Sequence, residues 1–197
     1  MHPVILGDMS ENSSTFDGRL LIGASGSAAV ALLPMFVSAL RGSFTGTITV
    51  LMTYTATRFI PASTVALFAD KVVTGDDPAT FARENHQSLT AENDLLVVLP
   101  ATANLLSAAA AGAAPNLLTA AITAAPAPVV FFPVMSSEMW ANRAVRRNVT
   151  QLREDGHVVV DPAMAPRYDV AAGAFVESPA PPAPPRFVEL VREHLEP

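Results

Sequence analysis

Short uncharged runs alternate along the chain with amphipathic or alanine-rich segments. Residues 20–22, 47–52, 95–99, 128–135 and 157–160 are runs of leucine, β-branched and aromatic side chains, as strands buried on both faces of a parallel sheet require. A further short strand is expected within residues 66–73. The segments between read as helices. One leads from the turn at Gly23 to Arg41, with a kink or local adjustment at Pro34. Another follows the TGDDPAT turn and has His86 near its end. A pair is divided at Gly112 to Pro115, with Asn116 a possible N-cap of the second; one covers 141–155 and stops at Gly156; one closes the chain over 187–195. This alternation predicts one α/β domain built on a doubly wound parallel sheet over residues 19–162. Residues 1–18, which contain SENSST, show no sustained period and are expected as a flexible arm or a strap on a neighbouring subunit. Residues 162–185 are too proline-rich for one helix and read as a flap or a polyproline connector.

Composition narrows the chemistry. With 197 residues the chain is long enough to bury one core, and a net charge of −6 argues against a general nucleic-acid surface. Arg143, Arg146 and Arg147 recur at helical spacing and read as a solvated helix face. Cysteine is absent, which excludes a disulfide, a thiolate metal site and a cysteine nucleophile; four histidines without HxH or HExxH spacing argue against zinc. Residues 20–40 and 95–137 are uncharged over a membrane-spanning length, yet Gly23, Ser25, Gly26, Ser27 and Pro34 break the first. Pro100, Asn104, Gly112, Pro115 and Asn116 break the second, so each reads as strand, loop and helix and no membrane span is expected. The first basic side chain, Arg19, follows a polar lead, unlike a signal peptide, and a cytoplasmic protein is the default expectation.

Candidate chemistry collects in the loops after the strands, where open α/β sheets bind ligands. GASGS (residues 23–27) after the first strand combines glycines with serine hydroxyls at a helix start, which suits a phosphate but also suits any tight strand-to-helix turn. TYTAT (residues 53–57) after the second offers Thr53 and Thr55, either as anion ligands or as a helix N-cap. PATAN (residues 100–104) follows the third long run, with His86 upstream, and PVMSSEMW (residues 133–140) follows the fourth. A lone histidine and a Met–Trp pair have ordinary structural readings as well, in a surface hydrogen bond and in core packing.

Taken in order, these segments resemble the homo-oligomeric flavin-containing cysteine decarboxylases. PATAN is similar to that family's PASANT motif, and His86, Leu89 and Asp94 fall where it has a histidine, a leucine and an aspartate before the same strand. NLLT (residues 116–119) continues the match, and PVMSSEMW resembles PxMNxxMW, agreeing at Pro133, Met135, Met139 and Trp140 but with Ser136 in place of the asparagine. The resemblance implies a Rossmann-like or flavodoxin-like fold, a trimer or dodecamer, and FMN at a subunit interface. It assigns the flavin to Gly23, Ser25, Gly26, Ser27, Thr53, Thr55, Phe59, Ala101, Thr102 and Asn104, the substrate to Asn104, Met135, Ser136, Met139 and Trp140, and the catalytic proton transfer to His86. Residues 163–185 correspond to a mobile substrate clamp, in which members that reduce their product carry a cysteine that this chain lacks.

The implied reaction is oxidative decarboxylation of a cysteine with a free carboxylate. Loss of the thiol proton and of a hydride from Cβ gives a thioaldehyde, whose C=S accepts electrons as carbon dioxide leaves Cα, and an enethiol results. The missing clamp cysteine favours a ribosomal precursor peptide ending in cysteine as the substrate. A phosphopantothenoylcysteine decarboxylase, a flavin prenyltransferase and a non-catalytic flavin-fold regulatory subunit are the alternatives.

Overall fold

A computed structural model describes residues 15–75 and 79–196. Six parallel strands form one sheet: β1 (Arg19–Ala24), β2 (Thr47–Met52), β3 (Lys71–Val73), β4 (Leu95–Ala101), β5 (Val130–Pro133) and β6 (Val158–Val159), in the order β3-β2-β1-β4-β5-β6. That is the Rossmann order, with its reversal between β1 and β4. Both faces are buried, which is why the strands carry uninterrupted apolar runs. Leu20, Ile22, Leu95, Val97, Leu99, Val130 and Phe132 point to one core; Leu21, Leu96, Val98 and Phe131 point to the other.

The first core is covered by α1 (Leu33–Arg41) and by the last helix, α9 (Pro184–Leu195), which begins three residues ahead of the expected 187. Phe187 of α9 is wholly buried, edge-on to Phe36 and Phe132 at 5.3 and 5.0 Å between ring centroids. Pro34 does not kink a long helix. A 3-10 turn, Ala28–Leu32, precedes α1 and leaves Pro34 in its first turn, where the missing N–H costs no intrahelical bond. The short helices α2 (Tyr54–Thr57) and α3 (Ala62–Val65) complete this side through Ala56 and Val65.

The second core lies under α4 (His86–Ala91), α5 (Ala103–Ala110), α6 (Leu117–Ala124) and α8 (Arg143–Glu154), with the short α7 (Ser137–Ala141) before α8. The break between α5 and α6 falls as expected, with Gly112 at a φ of +64° that favours glycine. His86, expected near the end of a helix, instead opens one. Asn85 accepts from the amides of Gln87 and Ser88, and Ser88 Oγ accepts from the Asn85 amide, a capping box with serine in the usual Glu/Gln position.

Two further segments depart from the expectation. Residues 163–180 form an antiparallel hairpin, β7 (Ala163–Asp169) and β8 (Ala174–Ala180), rather than a polyproline connector. Each strand of a two-stranded ribbon has a free edge, so Pro166 and Pro179 lose no ladder bond that the hairpin needs. Phe16 lies inside the expected arm yet is buried, bridging to Phe44 and covered by the Arg192 guanidinium at 4.6 Å. Residues 1–14 of that arm lie outside the described residues.

At the amino ends of β1 and β4, Asp94 and Arg19 hold each other twice over. The Asp94 carboxylate accepts from the Arg19 backbone amide and guanidinium, and the Asp94 amide donates to the Arg19 carbonyl. The guanidinium hydrogen bond holds the Asp94 carboxyl below the usual carboxylate range, against a smaller opposing effect of burial. A lowered folded-state pKa adds stability that is complete above the unfolded value of about 3.9 and disappears as pH falls through the folded value. With 42% of the Asp94 side chain exposed, screening limits this to about 1 kcal/mol or less. Asp94→Ala is therefore expected to lower the melting temperature at pH 7, with the gap to wild type closing below about pH 4. Thermal melts across pH 3 to 7 check this.

Candidate active site

The carboxyl ends of β1, β2, β4 and β5 open into one cleft of about 380 Å3. Its position at the strand-order reversal follows from topology: the loops after β1 and β4 leave in opposite directions and leave a crevice between them. Each loop turns straight into a helix, and each helix is capped by a side-chain oxygen. Ser27 accepts from Ala29 N, Thr53 from Ala56 N, Thr102 from Leu105 N, Asn116 from Thr119 N and Ser136 from Met139 N. The two readings of Thr53 are thus compatible, since it caps α2 and lines the cleft.

Ser25 joins the loops. Its buried Oγ donates to the Pro100 carbonyl at 2.7 Å and accepts from the Thr102 amide at 3.0 Å, while its own amide donates to the same carbonyl at 3.2 Å. Gly26 brings the second loop against the first. A Cβ there would lie 2.3 and 2.4 Å from Thr55 Cγ2 and Cβ, so only glycine permits the approach.

Ser25, Gly26, Ser27, Thr53, Thr55, Thr102, Asn104, Met135 and Met139 all line the cleft. Six other expected site residues stand elsewhere. Gly23 is a packing glycine whose Cβ would meet Leu118 Cδ1 at 2.4 Å, and Ala101 is fully buried in β4. Phe59 is 51% exposed outside the cleft. Trp140 packs against the second core under the Arg146 guanidinium at 4.6 Å. Ser136 faces a neighbouring cleft and its hydroxyl hydrogen-bonds Glu138, which holds that carboxyl below its usual range. His86, at the start of α4, is not among the residues lining the cleft. Missed by the sequence reading were Ala103, Leu105, Ala108, Pro115, Thr119 and Val134, and Asn116 was seen only as a cap. Ala108 follows Asn104 by one helical turn, a signal that the motif alone did not carry.

Among the described residues, every side chain lining the cleft is neutral, so an anion there would be held by hydroxyls, amides and backbone N–H groups. The Flavoprotein family signature matches residues 8–180. The chain belongs to the flavoprotein family. Among curated flavoproteins it is similar to mersacidin decarboxylase of Bacillus sp. (strain HIL-Y85/54728), with 37% identity over 157 residues that cover 80% of each chain. It is also 37% identical over 156 residues to the coenzyme A biosynthesis bifunctional protein CoaBC of Mycobacterium bovis, covering 79% of this chain but 37% of the longer relative. Among solved structures, the FMN-dependent cysteine decarboxylase SpaF aligns with a TM-score of 0.70 and 32% identity, covering 90% of this chain and 95% of that one. The peptidyl-cysteine decarboxylase EpiD aligns with a TM-score of 0.78 and 25% identity, covering 91% and 99%.

Ser25→Ala leaves the Pro100 carbonyl without the hydroxyl and the Thr102 amide without an acceptor. The expected cost is roughly 1–3 kcal/mol, read as a lower urea midpoint with unchanged m-value.

Proposed function

We propose that this flavoprotein binds FMN and oxidatively decarboxylates the C-terminal cysteine of a ribosomally made precursor peptide to an enethiol. The single observation that carries the reading is a neutral, hydroxyl-rich cleft at the strand-order reversal of a chain that matches mersacidin decarboxylase over 80% of both chains. The residues present fit the cofactor. Gly26, Ser27, Thr53 and Thr55 supply the small side chains and hydroxyl donors that a phosphate and a polyol chain need, while Leu105, Ala108, Val134, Met135 and Met139 offer the apolar wall that a planar ring needs. When bound, FMN supplies the two-electron oxidation of the cysteine's Cβ. The chain's own part is to hold cofactor and peptide together, keep water out and move the thiol proton. CoaBC relatives favour phosphopantothenoylcysteine as a second substrate, but the hairpin segment has no cysteine for the reductive step.

His86 is the proton carrier in this reading, supplied to the cleft of a neighbouring copy. An imidazole carries one nitrogen that can accept a proton and one that can donate it. His86 does not line the cleft of its own chain, and the residue before it, Asn85, donates its side-chain N–H at 3.2 Å to the carbonyl of Phe81, whose ring is 56% exposed. Tyr54, Phe59 and Leu67 add further exposed apolar surface, as a homotrimer or a homododecamer would cover.

The purified protein is expected to be yellow, to release FMN on denaturation and to scatter light as a trimer or a multiple of three. Gly26→Ala should lose most of its flavin. His86→Asn should keep flavin and assembly but lower, by about 10²–10⁴-fold, the conversion that removes about 46 mass units, one carbon dioxide and two hydrogens, from a cysteine-ended peptide. Co-expressing these two inactive variants should restore activity, because a mixed trimer joins an intact flavin cleft to an intact His86. A colourless wild type, or no recovery on mixing, would count against the cofactor and the shared site respectively.

A further inference from the structure

The cofactor cleft has neutral walls, yet a peptide ending in cysteine brings a full negative charge at its terminal carboxylate. A second cleft of about 520 Å3 continues from the first, with Ser27, Val134 and Met135 in the walls of both. The 3-10 turn and Ser136 line one side of it. The other side is the hairpin, where Ala165, Arg167, Ser178 and Ala180 share one face of the ribbon; Pro166 and Pro179, from the face that carries the exposed Met164, Tyr168 and Phe175, also reach the cleft. Among the described residues, Arg167 is the one charged side chain lining this second cleft.

We propose that Arg167 recognises the terminal carboxylate of the peptide and is a specificity-determining residue of the reaction proposed above, on which this inference rests. A guanidinium presents a planar fork that matches a carboxylate with two hydrogen bonds. Arg167 is already positioned for exchange. Its Nη2 donates to Asp169 Oδ2 at 3.3 Å, a long, exposed pair that is readily displaced. Asp169 stays behind when displaced, because its Oδ1 accepts from the Ala172 amide at 2.9 Å and is held to the hairpin turn. Glu138 of α7 also faces Arg167, across a surface depression that Asp169 and Glu177 border. These carboxylates repel an incoming carboxylate from the solvent side of Arg167, while the neutral second cleft leaves its inner side open. The carboxylate is still intact while the thiol proton and the Cβ hydride leave, so its pair with Arg167 is held alike in the bound peptide and through that oxidation. Arg167 therefore acts on binding rather than on the barrier.

The test uses full-length, FMN-loaded protein and the thiol-free probe acetyl-Ala-Ala-Ala-Ser, titrated calorimetrically as free acid and as carboxamide. The cysteine counterpart, as free acid, reports turnover. Wild type should prefer the acid by about tenfold or more, and Arg167→Gln should abolish that preference without changing amide binding. In turnover, Arg167→Gln should raise KM by a similar factor with kcat within about twofold. Asp169→Asn, which removes the resident competitor, should widen the acid preference. If wild type turns over the cysteine peptide while Arg167→Gln keeps the preference, or Asp169→Asn fails to widen it, the inference falls alone. If wild type neither turns over the cysteine peptide nor binds the probe, the decarboxylase reading falls and takes the inference with it. Arg167→Lys keeps the charge without the fork and should retain only part of the preference; full retention would also overturn the assignment.

Discussion

The pairing of β1 with β4 is the constraint on which the site depends. These are the two central strands, joined in register from Leu20 opposite Leu95 to Gly23 opposite Val98. Both ends are locked: at the amino end by the reciprocal bonds of Arg19 and Asp94, at the carboxyl end by Ser25 with Pro100 and Thr102. The crevice opens only because the chain reverses its strand order here. A slip of one residue would invert every side chain on β4 and carry Thr102 away from Ser25.

The second consequence is electrostatic. A chain with a net charge of −6 lines its cleft with neutral donors, so an anionic ligand gains its hydrogen bonds from amides and hydroxyls whose positions the caps already fix. Such donors require no reorganisation when the ligand arrives, and they do not titrate near neutral pH. Gly26 extends the same economy of space, since its missing Cβ is occupied by Thr55 of the next loop. Charge re-enters only at the hairpin, where Arg167 stands between a neutral cleft and the Asp169 and Glu138 carboxylates. The two clefts thus differ in charge and in the element that builds them. One is built on the sheet, the other on a two-stranded ribbon.

Much of this organisation was legible along the chain. Strands buried on both faces must be apolar throughout, so β1, β2, β4 and β5 stood out, and the hydroxyls of Thr53 and Thr55 after β2 stood out as a cap or an anion site, whereas the caps at Ser27 and Thr102 emerged only in the structure. The ordered motifs that carry the family resemblance were read from the same residues. These are local requirements, met within a few positions of one another.

What only the tertiary structure decided is what depends on residues far apart in sequence. Gly23 and Gly26 look alike in GASGS, but one is filled by Leu118 and the other by Thr55, and no local rule separates them. Met139 and Trp140 are adjacent, yet the turn of α7 sends one to the cleft and the other beneath Arg146. The prolines of residues 162–185 argued for an extended connector until pairing across seven positions showed that a ribbon with two free edges tolerates them. The position of His86 shows the boundary most plainly. The chain places it by motif and the Asn85 capping box places it at the start of α4, but that it does not line its own cleft is a matter of where α4 lies on the sheet and not of any stretch of sequence.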